Sequence, residues 1–143
     1  MNDTVKLLRE CEAGIKMGEA AMKKLIPKAK SKELRAALEV ALDTHVAIME
    51  EVQNELIENN DDLANSHPFA LLMSKLKLNM KLMINESDNT IADFMTDGCD
   101  MGIKSLSKFL NEYKSASTSS RDMAKRLIAS EEYLENKLRD FLY

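Results

Sequence analysis

A histidine on an apolar helical seam is the side chain of this sequence best placed to do chemistry. His45 follows Leu42 and precedes Met49 on a face whose apolar residues alternate at spacings of four and three, which is typical of a helix turned towards a core. Glu19 lies at the edge of such a seam in the first predicted helix, and Glu131 lies at the edge of one in the last. We therefore take these three residues as candidate metal ligands: Glu19, His45 and Glu131.

Two interpretations of this group stay open. One histidine with two or three carboxylates can hold iron, manganese or zinc, and further carboxylates for such a site would be Glu12, Asp97 or Asp100. Alternatively, His45 forms a hydrogen bond with a single buried carboxylate, as a polar layer in the core, while the other acids stay at the rim. The second histidine, His67, precedes Pro68 at a helix start and is interpreted as a surface or capping residue.

Other catalytic patterns do not occur in the sequence. There is no Ser-His-Asp or Cys-His arrangement, glycine-rich phosphate loop, CxxC pair or calcium-loop spacing, so an enzyme is not expected. The ten methionines recur at core spacings and are interpreted as packing residues. Two cysteines, Cys11 and Cys99, are expected to be buried thiols in a reducing compartment.

The composition indicates an all-α protein. The 143 residues are 45% hydrophobic and 31% charged, and they include only four glycines, two prolines and no tryptophan. Long runs of helix-forming residues leave little room for strands. A net charge of -4 argues against a nucleic-acid partner, and the start of the sequence lacks the pattern of a signal peptide. With no window apolar enough to span a membrane, a cytoplasmic protein is expected.

Caps and breaks divide the chain into one domain of two helical hairpins, 1–58 and 87–143, joined by a crossover helix at 66–85. The predicted helix starts are Asn2 or Asp3, Ser31, Ser87 and Ser119, each with a side chain that can cap a helix. Pro27 ends the first helix, and the short turn after it makes the first two helices antiparallel neighbours.

The crossover helix carries two apolar surfaces. Its broad face of methionine and leucine is expected to close the core, while Leu71, Leu78 and Leu82 form a narrow ridge on the opposite, lysine-rich side. A monomeric bundle has no need to bury this ridge, so we expect it to be the interface of a homodimer or the contact for another protein. Docking on an anionic membrane would require the apolar face to leave the bundle, so a membrane partner is not expected.

A short internal repeat links the two hairpins. CEAGIK at 11–16 recurs as CDMGIK at 99–104, and the paired glycines suggest that two backbones approach closely. With the crossover LLMSKLKLNMKLM and the pattern TDGCDMGIKSLSKFLNEY, the chain resembles the ferritin-like four-helix-bundle superfamily, and within it small bacterial families of unknown function.

The resemblance implies an up-down bundle of two hairpins with a crossover helix. Metal-binding members use an E-x-x-H pair on each of two helices, whereas His45 has Leu42 at that position, so the sequence departs from their pattern. We therefore predict a non-catalytic bundle without a required cofactor, which acts through protein contacts or self-association. The alternative is an iron- or manganese-binding carboxylate-histidine bundle with a storage or oxidase-like role.

Overall fold

The computed structural model is all-helical, as predicted. It describes residues 2–61, 69–81, 83 and 85–143, without the side chains of 69–73 and 78, and these residues contain no strand. The helices are α1 (Asp3–Leu25), α2 (Lys32–Glu58), α3 (Phe69–Lys81), α4 (Asp88–Glu112) and α5 (Thr118–Leu138). Short 3-10 turns follow α1 at Ile26–Lys28 and α5 at Arg139–Phe141. None of the described helices combines the length and apolarity needed to cross a membrane.

Three of the predicted helix starts are confirmed by capping hydrogen bonds. The side-chain oxygens of Asn2, Ser31 and Ser87 each accept a bond from the backbone N–H three residues later, at 2.9 to 3.3 Å. The predicted cap at Ser119 is wrong, because Ser117 caps α5 instead. Ser117 is held in place by other helices, since its N–H donates to Thr4 and its hydroxyl donates to Glu55. Ser117 and Ser119 are equally good caps by local sequence, and the long-range hydrogen bonds of Ser117 make it the cap of α5.

Hydrogen bonds between the ends of the helices show how the chain runs. The start of α1 meets the end of α4, where Asp3 accepts from the N–H of Ser115 at 3.1 Å. At the other end Asp88, the first residue of α4, accepts from the N–H groups of Lys30 and Ser31 in the α1–α2 turn. Helices α1 and α5 therefore run one way, and α2 and α4 run the other way. We call the end where α1 begins the lower end.

The four long helices pack as a bundle. Helix α1 packs against α2, α2 against α5, α5 against α4, and α4 against α1, while α3 packs against α1. The predicted crossover at 66–85 lies partly outside the described residues, and α3 is the part that the structure describes.

Two apolar clusters fill the bundle, one towards each end. In α2 the lower cluster stops at Ile48 and the upper cluster stops at Ala41. In α5 the corresponding limits are Leu127 and Leu134. Residues 45 and 131 therefore lie at one level, in a layer between the two clusters. The largest fully buried side chains of the lower cluster are Leu7, Leu8, Ile15, Ile48 and Leu56, and those of the upper cluster are Met22, Leu25, Leu34, Leu38, Ile91, Leu134 and Leu138.

A cluster of charged side chains connects the lower end of α2 to α1. Just beyond the end of α2, Asn60 adopts a left-handed conformation with φ of 58°, and the N–H of Asp61 donates to the carbonyl of Leu56 at 3.0 Å. This turn presents the Asp61 carboxylate to Arg9, whose Nε lies 2.8 Å away. Arg9 also donates to Glu12 at 3.0 Å, and both of these side chains are only 2% exposed. At the lower end of the bundle, the positive charge of Arg9 is therefore balanced by the carboxylates of Glu12 and Asp61.

Candidate functional site

The layer between the two apolar clusters contains a hydrogen-bonded pair, His45 and Glu131. His45 is 2% exposed, and its Nε2 lies 2.8 Å from Oε1 of Glu131 on α5. Its Nδ1 lies 2.8 Å from the carbonyl oxygen of Ala41, one helical turn earlier in α2. Of the two interpretations made from the sequence, the geometry matches a single carboxylate bound to His45, although the Glu131 side chain is 15% exposed and so only partly buried.

The two partners of the imidazole define where its protons lie. A carbonyl oxygen can only accept, so Nδ1 of His45 carries a hydrogen and donates it to Ala41. The contact between Nε2 and Glu131 then needs one more proton, on the ring or on the carboxyl group. Burial by itself lowers the pKa of His45, but the hydrogen bond to Glu131 and the charge of Glu131 outweigh it, so the pKa is raised. The pair therefore favours an imidazolium beside a carboxylate.

Two glycines provide the space for this pair. A Cβ atom added at Gly18 of α1 would lie 3.1 Å from both Cδ2 and Nε2 of His45, which is tighter than ordinary contact. One added at Gly102 of α4 would lie 3.6 Å from the Glu131 side chain, an ordinary contact distance. Each of the four long helices thus contributes to the layer: a glycine from α1 and α4, and a polar side chain from α2 and α5.

This arrangement corrects the prediction made from the repeat. The register of CEAGIK and CDMGIK pairs Gly14 with Gly102, but nothing lies within 4 Å of a Cβ added at Gly14. In α1 it is Gly18 that leaves space for the His45 ring, as Gly102 of α4 leaves space for the Glu131 side chain. The atoms nearest to a Cβ added at Gly18 or Gly102 belong to side chains, so the close contacts at these two glycines are with His45 and Glu131. The shared pattern is Gly-x-x-Met-Gly, at 14–18 and 98–102.

The cysteines are buried free thiols, as predicted. Cys99 lies close to Glu131, and burial together with the charge and hydrogen bond of Glu131 raises its pKa. Burial and the nearby Glu10 raise the pKa of Cys11 to about 12. A thiol with a raised pKa is protonated at neutral pH and is a poor nucleophile and metal ligand, so neither cysteine is suited to catalysis.

The candidate metal ligands are only partly brought together. His45 and Glu131 are in contact, whereas the Glu19 carboxylate lies 3.7 Å from Lys23 of its own helix and influences His45 through its charge. Both ring nitrogens of His45 already have partners. Within the described ranges, no three His, Cys, Asp or Glu side chains lie close enough to share a metal ion. The donor set therefore does not fit the carboxylate-rich metal centre of a ferritin.

The other carboxylates that the sequence offered have different neighbours. Glu12 is bound to Arg9 at the lower end of the bundle. Asp100 lies beside Glu135, and the closeness of the two carboxyl groups, together with burial, raises the pKa of Glu135. Neither Glu12 nor Asp100 therefore joins His45 and Glu131 as a third metal ligand.

An open groove on the outside of the bundle is the second candidate site, and the sequence analysis missed it. It runs between α2 and α5, and its edges include the half-exposed side chains of Val40 and Tyr133. The signal in the sequence was a second apolar stripe on α2, Val40 and Ala47 seven residues apart, away from the core seam. Its lining residues are Val40, Asp43, Thr44, Ala47, Ile48, Arg126, Ala129, Ser130 and Tyr133.

The predicted interface ridge lies outside what the structure describes. Leu71 and Leu78 belong to α3, but their side chains are among those not described, and Leu82 is outside the described residues. The ridge therefore stays a prediction.

No protein-family model matches this chain, and neither a curated protein nor a solved structure matches it. The function has to be inferred from the fold and from the two sites themselves.

Proposed function

We propose that this protein is a ferritin-like helical bundle that acts through protein contacts, including contacts with a second copy of itself, and that it carries no catalytic centre. The observation that carries this proposal is the hydrogen bonding of His45 in the bundle centre. Both nitrogens of His45 are bound, one to Ala41 and one to Glu131. A histidine held in this way has no nitrogen left for a substrate or a metal ion, so the interior serves packing and the outer surface serves function.

The ferritin-like assignment is supported by the directions of the helices. Two antiparallel hairpins, α1–α2 and α4–α5, pack side by side, and the connection between them returns to the upper end before α4 begins. The layer of His45 and Glu131 lies where such bundles have their metal centres, and a cytoplasmic setting agrees with the two free cysteines.

Self-association is tested by measuring mass against concentration. We expect light scattering to give a mass above that of the 16.2 kDa monomer at tens of micromolar, falling towards the monomer on dilution. A monomer over the whole range would contradict this part of the proposal. The leucine ridge is tested separately by Leu78→Glu, which lowers the dimer fraction only if that ridge is the interface.

The alternative is an iron- or manganese-binding bundle. It rests on the contact between His45 and Glu131, and it would require this hydrogen bond to open. Elemental analysis after growth in iron- and manganese-replete medium, with His45→Ala as control, separates the two functions. Our proposal predicts no stoichiometric metal in either protein, whereas metal that is present in the wild type and lost in His45→Ala would establish the alternative.

A further inference from the structure

We propose that the upper end of this bundle carries a lysine patch that binds an anionic membrane surface through charge alone. This inference goes beyond the protein contacts proposed above and does not depend on them. Two segments of the chain form the patch, 23–32 and 74–81, and together they contain eight lysines and no aspartate or glutamate. The residues of the lysine patch are Lys23, Lys24, Lys28, Lys30, Lys32, Lys75, Lys77 and Lys81.

The fold brings these two segments to the same end of the bundle. Helix α3 packs against α1, and its Leu76 and Met80 pack against the upper apolar cluster. Shortly after α3, Glu86 lies 2.5 Å from Lys28, which belongs to the turn after α1. Lysines that are more than forty positions apart in the sequence therefore contribute to one surface.

Most of the lysine patch has no counter-charge from the protein. Seven of its eight lysines are exposed, and Lys28 is partly buried. Lys23 lies 3.7 Å from Glu19, and Lys28 is paired with Glu86. For the other six lysines, no carboxylate in the described part of the chain lies within 4.0 Å. These six positive charges are therefore available to a partner.

Two further carboxylates lie beside the patch and already accept hydrogen bonds. Asp88 accepts from the backbone N–H groups of Lys30 and Ser31, and Glu33 accepts from the hydroxyl of Ser31. With the two carboxylates named above, eight lysines face four acids, so the surface keeps a net positive charge. Acids elsewhere on the bundle do not cancel it, because charges more than about 8 Å apart are largely screened at physiological salt.

Helix stability does not account for all of these lysines. Lys23 and Lys24 lie in the last turn of α1, where a positive charge is favourable. Lys32, in contrast, is the first residue of α2, and Lys30 precedes the cap of that helix. A positive charge there opposes the helix dipole. The lysines at the start of α2 therefore indicate a role outside the bundle.

The residue types of the patch favour lipid over protein or nucleic acid. Protein interfaces are depleted in lysine and enriched in arginine and aromatic residues, and nucleic-acid sites use arginine and stacking aromatic rings. The two segments contain neither arginine nor an aromatic residue. The nearby Arg35 donates to the carbonyl of Ala29 at 3.0 Å. Anionic lipid headgroups form a fluid layer that needs only point charges, and clusters of about 4–8 basic residues bind it.

Binding through the lysines leaves the bundle intact. Leu76 and Met80 stay packed against the upper cluster, while Lys75 and Lys77 are exposed. The apolar face of the crossover helix therefore does not have to leave the bundle, which was the objection to a membrane partner in the sequence.

Co-sedimentation with vesicles tests the lysine patch. We expect the wild type to bind phosphatidylcholine vesicles that contain about 30% phosphatidylserine at about 0.1 M salt, and not to bind pure phosphatidylcholine. Lys32→Gln combined with Lys77→Gln removes one lysine from each segment. This double variant should bind about 25-fold more weakly, since each lysine at an anionic surface contributes a factor of about five.

Lys104→Gln combined with Lys108→Gln is the matched control. Both residues are exposed lysines of α4 outside the patch, and the two double variants have the same net charge. We expect the control to change vesicle binding by less than about twofold, because its charges lie beyond the screening length from the patch. Circular dichroism of both variants checks that the helices are intact.

Each outcome supports or overturns the lysine patch. Vesicle binding that the patch variant weakens and the control leaves unchanged supports it. Equal weakening by both variants, equal binding to pure phosphatidylcholine, or no binding to the anionic vesicles overturns it. Binding to duplex DNA or to polyglutamate without binding to vesicles also overturns it and assigns the patch to another kind of polyanion. Self-association is measured separately by light scattering, so the failure of either proposal leaves the other standing.

Discussion

Replacing Gly18 with alanine is the sharpest probe of the polar layer. The new methyl group would lie 3.1 Å from two atoms of the His45 ring. The ring cannot retreat freely, because its two nitrogens are held at 2.8 Å by Ala41 and Glu131. The substitution therefore has two opposing effects: alanine stabilises the helix more than glycine does, whereas its methyl group crowds the His45 ring and strains the bond to Glu131.

The two effects have different sizes. Alanine in place of a helical glycine stabilises by up to about 1 kcal/mol. Breaking a buried hydrogen bond to a charged group costs roughly 1.5–3 kcal/mol. We therefore expect Gly18→Ala to destabilise the protein by about 1 kcal/mol.

Gly14→Ala is the matched control, one turn earlier in the same helix. A Cβ at Gly14 meets nothing within 4 Å, so only the helix preference acts and the variant should be stabilised by about 0.5–1 kcal/mol. The two variants should then differ by about 2 kcal/mol, or about 6 °C in Tm at roughly 3 °C per kcal/mol.

Urea unfolding of both variants in parallel measures this difference. A second pair of measurements, Gly18→Ala with and without His45→Ala, isolates the role of the ring, since removal of the imidazole should make Gly18→Ala stabilising. Equal stabilisation by Gly14→Ala and Gly18→Ala in the wild-type background would refute the view that His45 is pinned between α1 and α5.

Two further predictions concern pH and the end of α2. Because folding raises the pKa of His45, its contribution to stability is complete below the unfolded pKa of about 6.5 and is lost as the pH rises through the higher folded value. The Tm of the wild type should therefore fall as the pH rises above about 6.5, a slope that His45→Gln should lack, and equal slopes would contradict the proton assignment. At Asn60, where φ is 58°, Asn60→Ala should cost about 1 kcal/mol, whereas Asn60→Gly should be neutral or slightly stabilising. Urea unfolding of these two variants tests this, and equal effects would show that the left-handed turn is not maintained in solution.

Local signals were enough to predict most helix limits. Asn2, Ser31 and Ser87 cap helices because each has an oxygen within reach of the N–H three residues ahead. At the start of α5 the same logic chose Ser119, because Ser117 has no local advantage over it. The bonds from Ser117 to Thr4 and Glu55 decide the matter, and they join residues more than sixty positions apart.

The candidate site was half predictable for the same reason. A histidine on a leucine seam has to be buried, and a buried imidazole needs partners, so the sequence indicated His45 and a polar layer. The choice of Glu131 over Glu19 depends on which helix faces α2 at that level. That is a property of the packed bundle, since α5 supplies the carboxylate that contacts the ring.

The sequence by itself determined that the chain is helical, where most of its helices begin, and that His45 lies in the core, because all three follow from interactions within one or two helical turns. Only the tertiary structure decided that His45 is paired with Glu131, that Gly18 rather than Gly14 makes room for it, and that a groove lies between α2 and α5. Each of these depends on the rotation and height of one helix against another, and side-chain packing across the whole bundle sets those two quantities.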